Sequence, residues 1–259
     1  MTTSKQVVLV VIIGKGTIGK LFGKVIEKTT RNEYVVNYIT RADSAEERSD
    51  KLKNAAIIML AVKPKDLDGV LDEVKEYAQE RATICSFVAG VDSSAYAQKL
   101  GESARLVLVV PNTTTEVELG FASITRTLGA EPEDVQSIKK VLSSATALVD
   151  LEESKVDEFT AVAGCAPAYF LRFAKVLQSA AEDLGIGAED ATTFVANTMT
   201  GVGLMMQGSP DEHKSIEQLI NEVASEGGAT EKAMQSLDSS DFNAVIKNAV
   251  TSAYQHLKS

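Results

Sequence analysis

An unbroken apolar run, Val7–Ile13, leads straight into Gly14-Lys15-Gly16-Thr17-Ile18-Gly19, and a helical pattern starts at once behind it. No other feature restricts the fold as much. The run is too short to span a bilayer and no small-residue cleavage site follows it, so it reads as a buried strand. Each glycine then has its own reason to be there. The first permits a sharp turn out of the strand, the second lets a phosphate approach the backbone, and the third lets the helix pack on the strand. A helix that begins at such a turn offers free N–H groups and the positive end of its dipole, which favour an anion. Gly14, Gly16, Thr17, Ile18 and Gly19 are therefore candidate contacts to the pyrophosphate of a dinucleotide. A glycine turn without a ligand is the plainer reading, and the strand before and helix after weigh against it.

The alternation continues for about 150 residues. Apolar, β-rich runs recur at Tyr34–Thr40, Ala55–Ala61, Ala82–Ser86 and Arg105–Val110, with helical stretches at 17–28, 43–53, 66–78 and 92–100. Continuous apolar strands separated by helices predict a parallel sheet covered on both faces. A strand near Gly120–Arg126, a helix opened by Glu131-Pro132-Glu133-Asp134 and a short strand near Ala147–Asp150 complete this half. Proline suits the first helical turn, and the acids there complement the dipole. From about residue 152 the alternation stops, and Ala, Met and Leu recur at helical spacing to the end. Gly185 and Gly187 separate two long helices, and Gly208–His213 reads as a loop. Gly201 and Gly203 lie inside the second long helix, where glycine costs stability, so close helix packing is expected there. The fold class is thus α/β: an N-terminal Rossmann-type parallel-sheet domain over residues 1–152, then an all-helical domain over 153–259.

The second strand ends at Ile39-Thr40-Arg41. An NAD binder carries an acid near this point for the ribose 2′-hydroxyl, whereas a hydroxyl and a guanidinium suit a 2′-phosphate. Thr40 and Arg41 therefore favour NADP(H), while the nearby Asp43 keeps NAD(H) open. Lys63 and Pro64 follow the end of the third strand and Asn112 the end of the fifth, where open α/β sheets bind ligands. A strand stop and a turn residue are their plain alternatives.

Charge and side-chain chemistry exclude other classes. The net charge of −10 and the lack of a Lys/Arg cluster argue against a nucleic-acid partner. The two cysteines, Cys85 and Cys165, lie in apolar surroundings outside any C-x-x-C pair and read as buried free thiols of a reducing compartment. The two histidines, His213 and His256, are far apart, so no metal site is expected. A cytoplasmic protein with no membrane segment is the expectation.

Four further segments appear in order: Ala61-Val62-Lys63-Pro64, Ala89-Gly90-Val91, Val110-Pro111-Asn112-Thr113 and Ser225-Glu226-Gly227-Gly228-Ala229-Thr230. With the glycine turn, and with Ala163-Gly164-Cys165-Ala166-Pro167-Ala168-Tyr169 opening the first long helix, their order and rough spacing resemble the pyrroline-5-carboxylate reductase family over nearly the whole chain. The resemblance implies NAD(P)H-dependent reduction of a cyclic imine, 1-pyrroline-5-carboxylate, to proline. It implies a homodimer or larger homo-oligomer whose helical domains interlock, with proline biosynthesis as the role. It adds Ala61, Val62, Lys63, Pro64, Ala89 and Asn112 to the cofactor side. It places substrate at Ser225, Gly227, Gly228, Ala229 and Thr230, with the Thr230 hydroxyl at the ring nitrogen as the catalytic group. Chemically, the Gly227-Gly228 pair at a helix start would expose N–H groups as a nest for the substrate carboxylate. An ordinary helix cap is the plainer reading of the same residues.

The chain departs from the family pattern at several places. Leu108 stands where the family has Arg, and Arg105, three residues earlier, should point to the opposite face of its strand. Glu226 replaces Pro beside the expected nest, and Ala163 and Ala166 replace Ser and Gly. The stretch from Thr40 to Ala55 is short, as though a strand and its crossover were missing. Two alternatives follow: a non-catalytic dinucleotide-binding regulator, or a related reductase. A hydroxyacid dehydrogenase would need a proton-transfer group, commonly Lys, early in the long helix. Here those turns read Pro167-Ala168-Tyr169-Phe170-Leu171-Arg172, with Lys175 further along.

Overall fold

The computed structural model describes residues 7–29, 33–117, 119–208 and 214–258. The chain forms two compact units, the first running to Gly164 and the second occupying Cys165–Leu257.

The first unit is a seven-stranded sheet in the order β2-β1-β3-β4-β5-β6-β7. The strands are β1 Val8–Ile13, β2 Tyr34–Ile39, β3 Ile57–Leu60, β4 Thr83–Ser86, β5 Arg105–Pro111, β6 Gly120–Leu128 and β7 Thr146–Asp150. The first five run parallel, as expected from their apolar runs; β3 and β4 are buried at every position. The sheet is parallel as expected except at one pair, where β6 runs antiparallel to β5. The linker between them is only a short 3-10 turn, Thr113–Val117, and its neighbours, too short for a crossover. Parallel pairing returns between β6 and β7, joined through α5 (Pro132–Leu142).

Both faces of the sheet are covered. The helix α1 (Thr17–Thr29) and α5 enclose one core cluster, in which Phe22 stacks on Phe87 with centroids 4.7 Å apart. The helices α2 (Ala45–Asn54), α3 (Leu67–Tyr77) and α4 (Ser93–Leu100) enclose the other. Strand alternation divides β5 between them: Val107 and Val109 face the first cluster, Leu106 and Leu108 the second. The short 40–55 stretch holds a single crossover helix, α2, so β2 alone lies beyond β1 where the six-stranded dinucleotide fold has two strands.

The sheet unit extends past residue 152 because the next segment is pinned to it. Both Glu153 carboxylate oxygens are engaged at the start of α4, one accepting from the Ser93 N–H at 2.6 Å and the other from its hydroxyl at 2.8 Å. Phe159, in the short helix α6 (Val156–Phe159), meets Phe121 edge-on at 5.8 Å. A π-turn, Thr160–Gly164, closes the unit.

The second unit is entirely helical: α7 (Ala166–Asp183), α8 (Ala188–Gln207), α9 (Ile216–Val223), α10 (Ala229–Asp238) and α11 (Phe242–Leu257). Most of the expected 208–213 loop, residues 209–213 and with them His213, lies outside the described residues. Gly185 has φ +86° and ends α7, as a left-handed cap requires. Gly201 and Gly203 do not serve close packing within the chain, because a Cβ at either would meet no atom within 4 Å. Large apolar side chains stay open on these helices, among them Phe170, Leu171, Phe194 and Met206. Among the described residues, no helix is long and apolar enough to cross a membrane. Cys85 is buried as expected, whereas Cys165 is only partly so.

Candidate functional site

The glycine turn sits at the carboxyl edge of the sheet, where the strand order reverses between β1 and its two neighbours. The Gly14 N–H donates to the Ile39 carbonyl at the end of β2, and the Ala61 N–H to the Ile13 carbonyl, each at 2.9 Å. Gly14 has φ +104°, and a Cβ there would lie 2.3 Å from the Ala61 oxygen. A Cβ on Gly19 would lie 2.2 Å from the Gly14 oxygen, so helix and turn touch through that hydrogen. Gly16 differs: a Cβ there would meet nothing within 4 Å. Two glycines are thus demanded by the fold, while the space beside the third is open. The Gly16 carbonyl accepts from Lys20, which makes it the cap of α1, and the Thr17 and Ile18 N–H groups have no acceptor among the described residues. A glycine outside the motif also matters. A Cβ on Gly23 would overlap the Tyr38 hydroxyl, and the Lys15 ammonium lies 4.7 Å from the Tyr38 ring centre.

The residues after β2 form a tight polar turn. The Asp43 carboxylate accepts from the Thr40 N–H and the Thr40 hydroxyl, both at 2.7 Å, and from the Lys51 ammonium. The hydrogen bond from Lys51 and those from Thr40 hold the Asp43 carboxyl far below the usual carboxylate range. Lys51 also donates to the Tyr38 carbonyl at 3.0 Å. Arg41 points outward, its side chain 87% exposed, and one terminal nitrogen bridges both Asp66 oxygens at 3.1 Å. Asp66 lies 25 residues away, and no local pattern signals the pairing.

The other strand ends line the same edge. Ala61 and Val62 are half-buried beside the glycine turn, and Lys63 and Pro64 are exposed where a 3-10 turn begins. Ala89 is exposed in a turn with Gly90, whose φ is +71°. Asn112 is buried; its side-chain oxygen accepts from the Thr114 hydroxyl at 2.8 Å, and its N–H donates to the Phe121 carbonyl. Leu108 is buried in the core cluster on the α2–α4 face of the sheet. Arg105 turns the other way, as alternation requires, and pairs with the buried Asp134 at 2.8 Å.

In the helical unit, Ser225–Thr230 gather around the start of α10. Gly227 has φ +72°, and a Cβ on Gly228 would lie 2.9 Å from the Ser225 oxygens, so both glycines are required. The expected nest is partly self-satisfied. The Gly227 N–H donates to the Glu231 carboxylate at 2.8 Å, and the Gly228 N–H to the Ser225 carbonyl at 3.0 Å. The reason is capping: a helix start without a side-chain cap takes its acceptor from the acid in its first turn. The Ala229 and Thr230 N–H groups and the Thr230 hydroxyl have no partner among the described residues. Glu226 is exposed and unbonded among them. Glu231 is the residue at this helix start that the motif did not single out.

Sheet order, glycine turn and helical half together define the class: a Rossmann-type α/β domain followed by an all-helical domain. Residues 153–259 match the family described as pyrroline-5-carboxylate reductase dimerisation. The chain is 28% identical over 261 residues to the pyrroline-5-carboxylate reductase of Aquifex aeolicus, covering 95% of each. It is 28% identical over 204 residues to pyrroline-5-carboxylate reductase 2 of Bacillus subtilis, covering 79% of this chain and 72% of that one. A solved pyrroline carboxylate reductase of Plasmodium falciparum, with NADP bound, superposes with TM-score 0.84 at 24% identity, covering 98% of each chain. The chain is thus similar along nearly all of its length to pyrroline-5-carboxylate reductases, and its helical half matches the dimerisation model of that family.

Proposed function

We propose that the protein reduces a cyclic imine, 1-pyrroline-5-carboxylate, to proline with NAD(P)H, NADPH being favoured. The observation that carries this reading is that a relative named for that activity aligns over 95% of the chain, a span that takes in both the glycine turn and the Ser225–Thr230 segment. In this reading residues 1–152 hold the dinucleotide, and residues 153–259 hold substrate and partner.

The residues present fit a dinucleotide. The open space at Gly16 and the unpartnered N–H groups of Thr17 and Ile18 suit a pyrophosphate at a helix start. Arg41 is exposed and answers a 2′-phosphate, with Thr40 beside it. Asp43 is taken up inside its turn and does not compete as an NAD-type acid. Lys63, Pro64, Ala89 and Asn112 flank the nicotinamide end. When bound, the reduced cofactor supplies the hydride, and the protein supplies position and charge.

A protonated imine is already electrophilic, so the chain needs no metal or strong base. It must anchor a carboxylate and meet the ring nitrogen. The Ala229 and Thr230 N–H groups are the donors left for the carboxylate, since those of Gly227 and Gly228 are engaged; Ser225, Gly227 and Gly228 shape the loop. The Thr230 hydroxyl is the group for the ring nitrogen.

The open apolar side chains of α7 and α8 support a homodimer through the helical domain, because a lone soluble chain rarely leaves so many exposed. A cytoplasmic enzyme belongs to the same reading. The self-satisfied Gly227 and Gly228 favour one competitor, a non-catalytic dinucleotide-binding regulator. NADPH oxidation followed on adding 1-pyrroline-5-carboxylate, with proline identified as product, tests the assignment. Binding of NADPH without oxidation would support the regulator instead.

A further inference from the structure

The turn after β2 carries more charge than a 2′-phosphate contact requires. Three ion pairs crowd it: Arg41 with Asp66, Lys51 with Asp43, and Arg48 with Glu73. Arg48 also donates to the Thr40 carbonyl at 2.8 Å. Arg41 is therefore already matched by an acid before any ligand arrives. Local neutrality then depends on Lys51, whose side chain is 25% exposed and reaches back from α2 to the end of β2. Glu46 and Glu47 in the first turn of α2 add further negative charge nearby.

We propose that Lys51 is a specificity-determining residue for the cofactor: by balancing Asp43 it keeps the ribose 2′ position open to a phosphate. The inference rests on the Arg41 reading above. A free carboxylate at this point in a Rossmann-type domain takes the ribose hydroxyls and repels a phosphate. Here Asp43 has three donors, two from Thr40 and one from Lys51, and only Lys51 brings a full positive charge. Without Lys51 the Thr40 bonds keep Asp43 in place, so the acid remains while its counter-charge is gone. A 2′-phosphate, with nearly two negative charges, then meets a net acidic turn. A 2′-hydroxyl ligand has no such charge and is indifferent.

Calorimetric titration of the full chain with adenosine 2′,5′-bisphosphate and with AMP tests this without any turnover. The wild-type protein should hold the bisphosphate more tightly. Lys51→Met should weaken the bisphosphate about tenfold at low salt and leave AMP unchanged, with the loss shrinking as salt rises. Lys51→Arg should retain the preference. The double variant Lys51→Met/Asp43→Asn should recover it, because no unbalanced charge is left. If Lys51→Met fails to fold, Lys51→Gln takes its place. Unchanged discrimination in the single variant overturns the proposal, and so does equal weakening of both ligands that the double variant does not repair. A wild-type chain that binds both ligands equally overturns the Arg41 reading itself, and this inference with it.

Discussion

Replacing each glycine of Gly14-x-Gly16-x-x-Gly19 by alanine, one at a time, should separate folding from binding. At Gly14 the backbone has φ +104° and the new methyl would lie 2.3 Å from a carbonyl oxygen. The left-handed backbone costs about 1–2 kcal/mol for a residue with a Cβ, and forcing a methyl into packed backbone about 1–3 kcal/mol more. A loss of roughly 3 kcal/mol corresponds to about 6–12 °C in Tm for a chain of this size. Gly19→Ala meets the Gly14 carbonyl at 2.2 Å and should be destabilised through the packing share alone, since its backbone is ordinary. Gly16→Ala meets nothing, so stability should change only by the difference between glycine and alanine at a helix cap, about 1 kcal/mol or less. Its methyl would instead stand in the space offered to the pyrophosphate. Dinucleotide affinity should fall at least about tenfold, or about 1.4 kcal/mol. Thermal unfolding read by circular dichroism gives the stabilities, and calorimetric titration with NADPH gives the affinities. The reasoning is refuted if Gly16→Ala melts as early as Gly14→Ala, or if it binds NADPH as tightly as wild type.

Arg41→Ala should weaken NADPH about tenfold or more and NADH little, as expected for one charge-assisted contact; equal losses in a binding assay would remove Arg41 from that role. Thr230→Ala should slow imine reduction about ten- to a thousandfold with NADPH affinity kept, and a wild-type turnover would reject it as the nitrogen partner. Glu226→Gln should change the KM for 1-pyrroline-5-carboxylate only modestly, because the side chain is exposed and unbonded; a tenfold gain in kcat/KM would point to a different imine. On a calibrated sizing column the chain should run as a dimer or larger, and a stable, active monomer would contradict the reading of the open apolar helices.

Much of the fold could be read from local pattern. The strands of the first unit lie within a residue or two of their apolar runs, because burial on both faces demands an unbroken stretch of Val, Ile and Leu. The glycine turn was legible from its place between an apolar strand and a helix, although the contact that demands Gly14 comes from Ala61, distant in sequence, and a Cβ on Gly16 would meet no neighbour. The helical half was legible as helices, but its open apolar sides were not, since helical spacing alone does not say what a face is pressed against. Cys165 shows the same limit: apolar neighbours in sequence suggested burial, and the fold leaves it partly open.

Tertiary structure decided what depends on groups far apart in the chain. The antiparallel β5–β6 pair was set by a linker too short to cross over, and only the pairing itself reveals that. Arg41 on Asp66 and Arg105 on Asp134 join residues 25 and 29 positions apart, at distances no pattern encodes. The sequence correctly placed Ser225–Thr230 at a helix start, yet it could not show that Glu231 and Ser225 already occupy two of the N–H groups there. Periodicity determines which face of an element is apolar, because that is local geometry. Which polar groups remain free for a ligand is decided only when every donor has had its choice of acceptor in the folded chain.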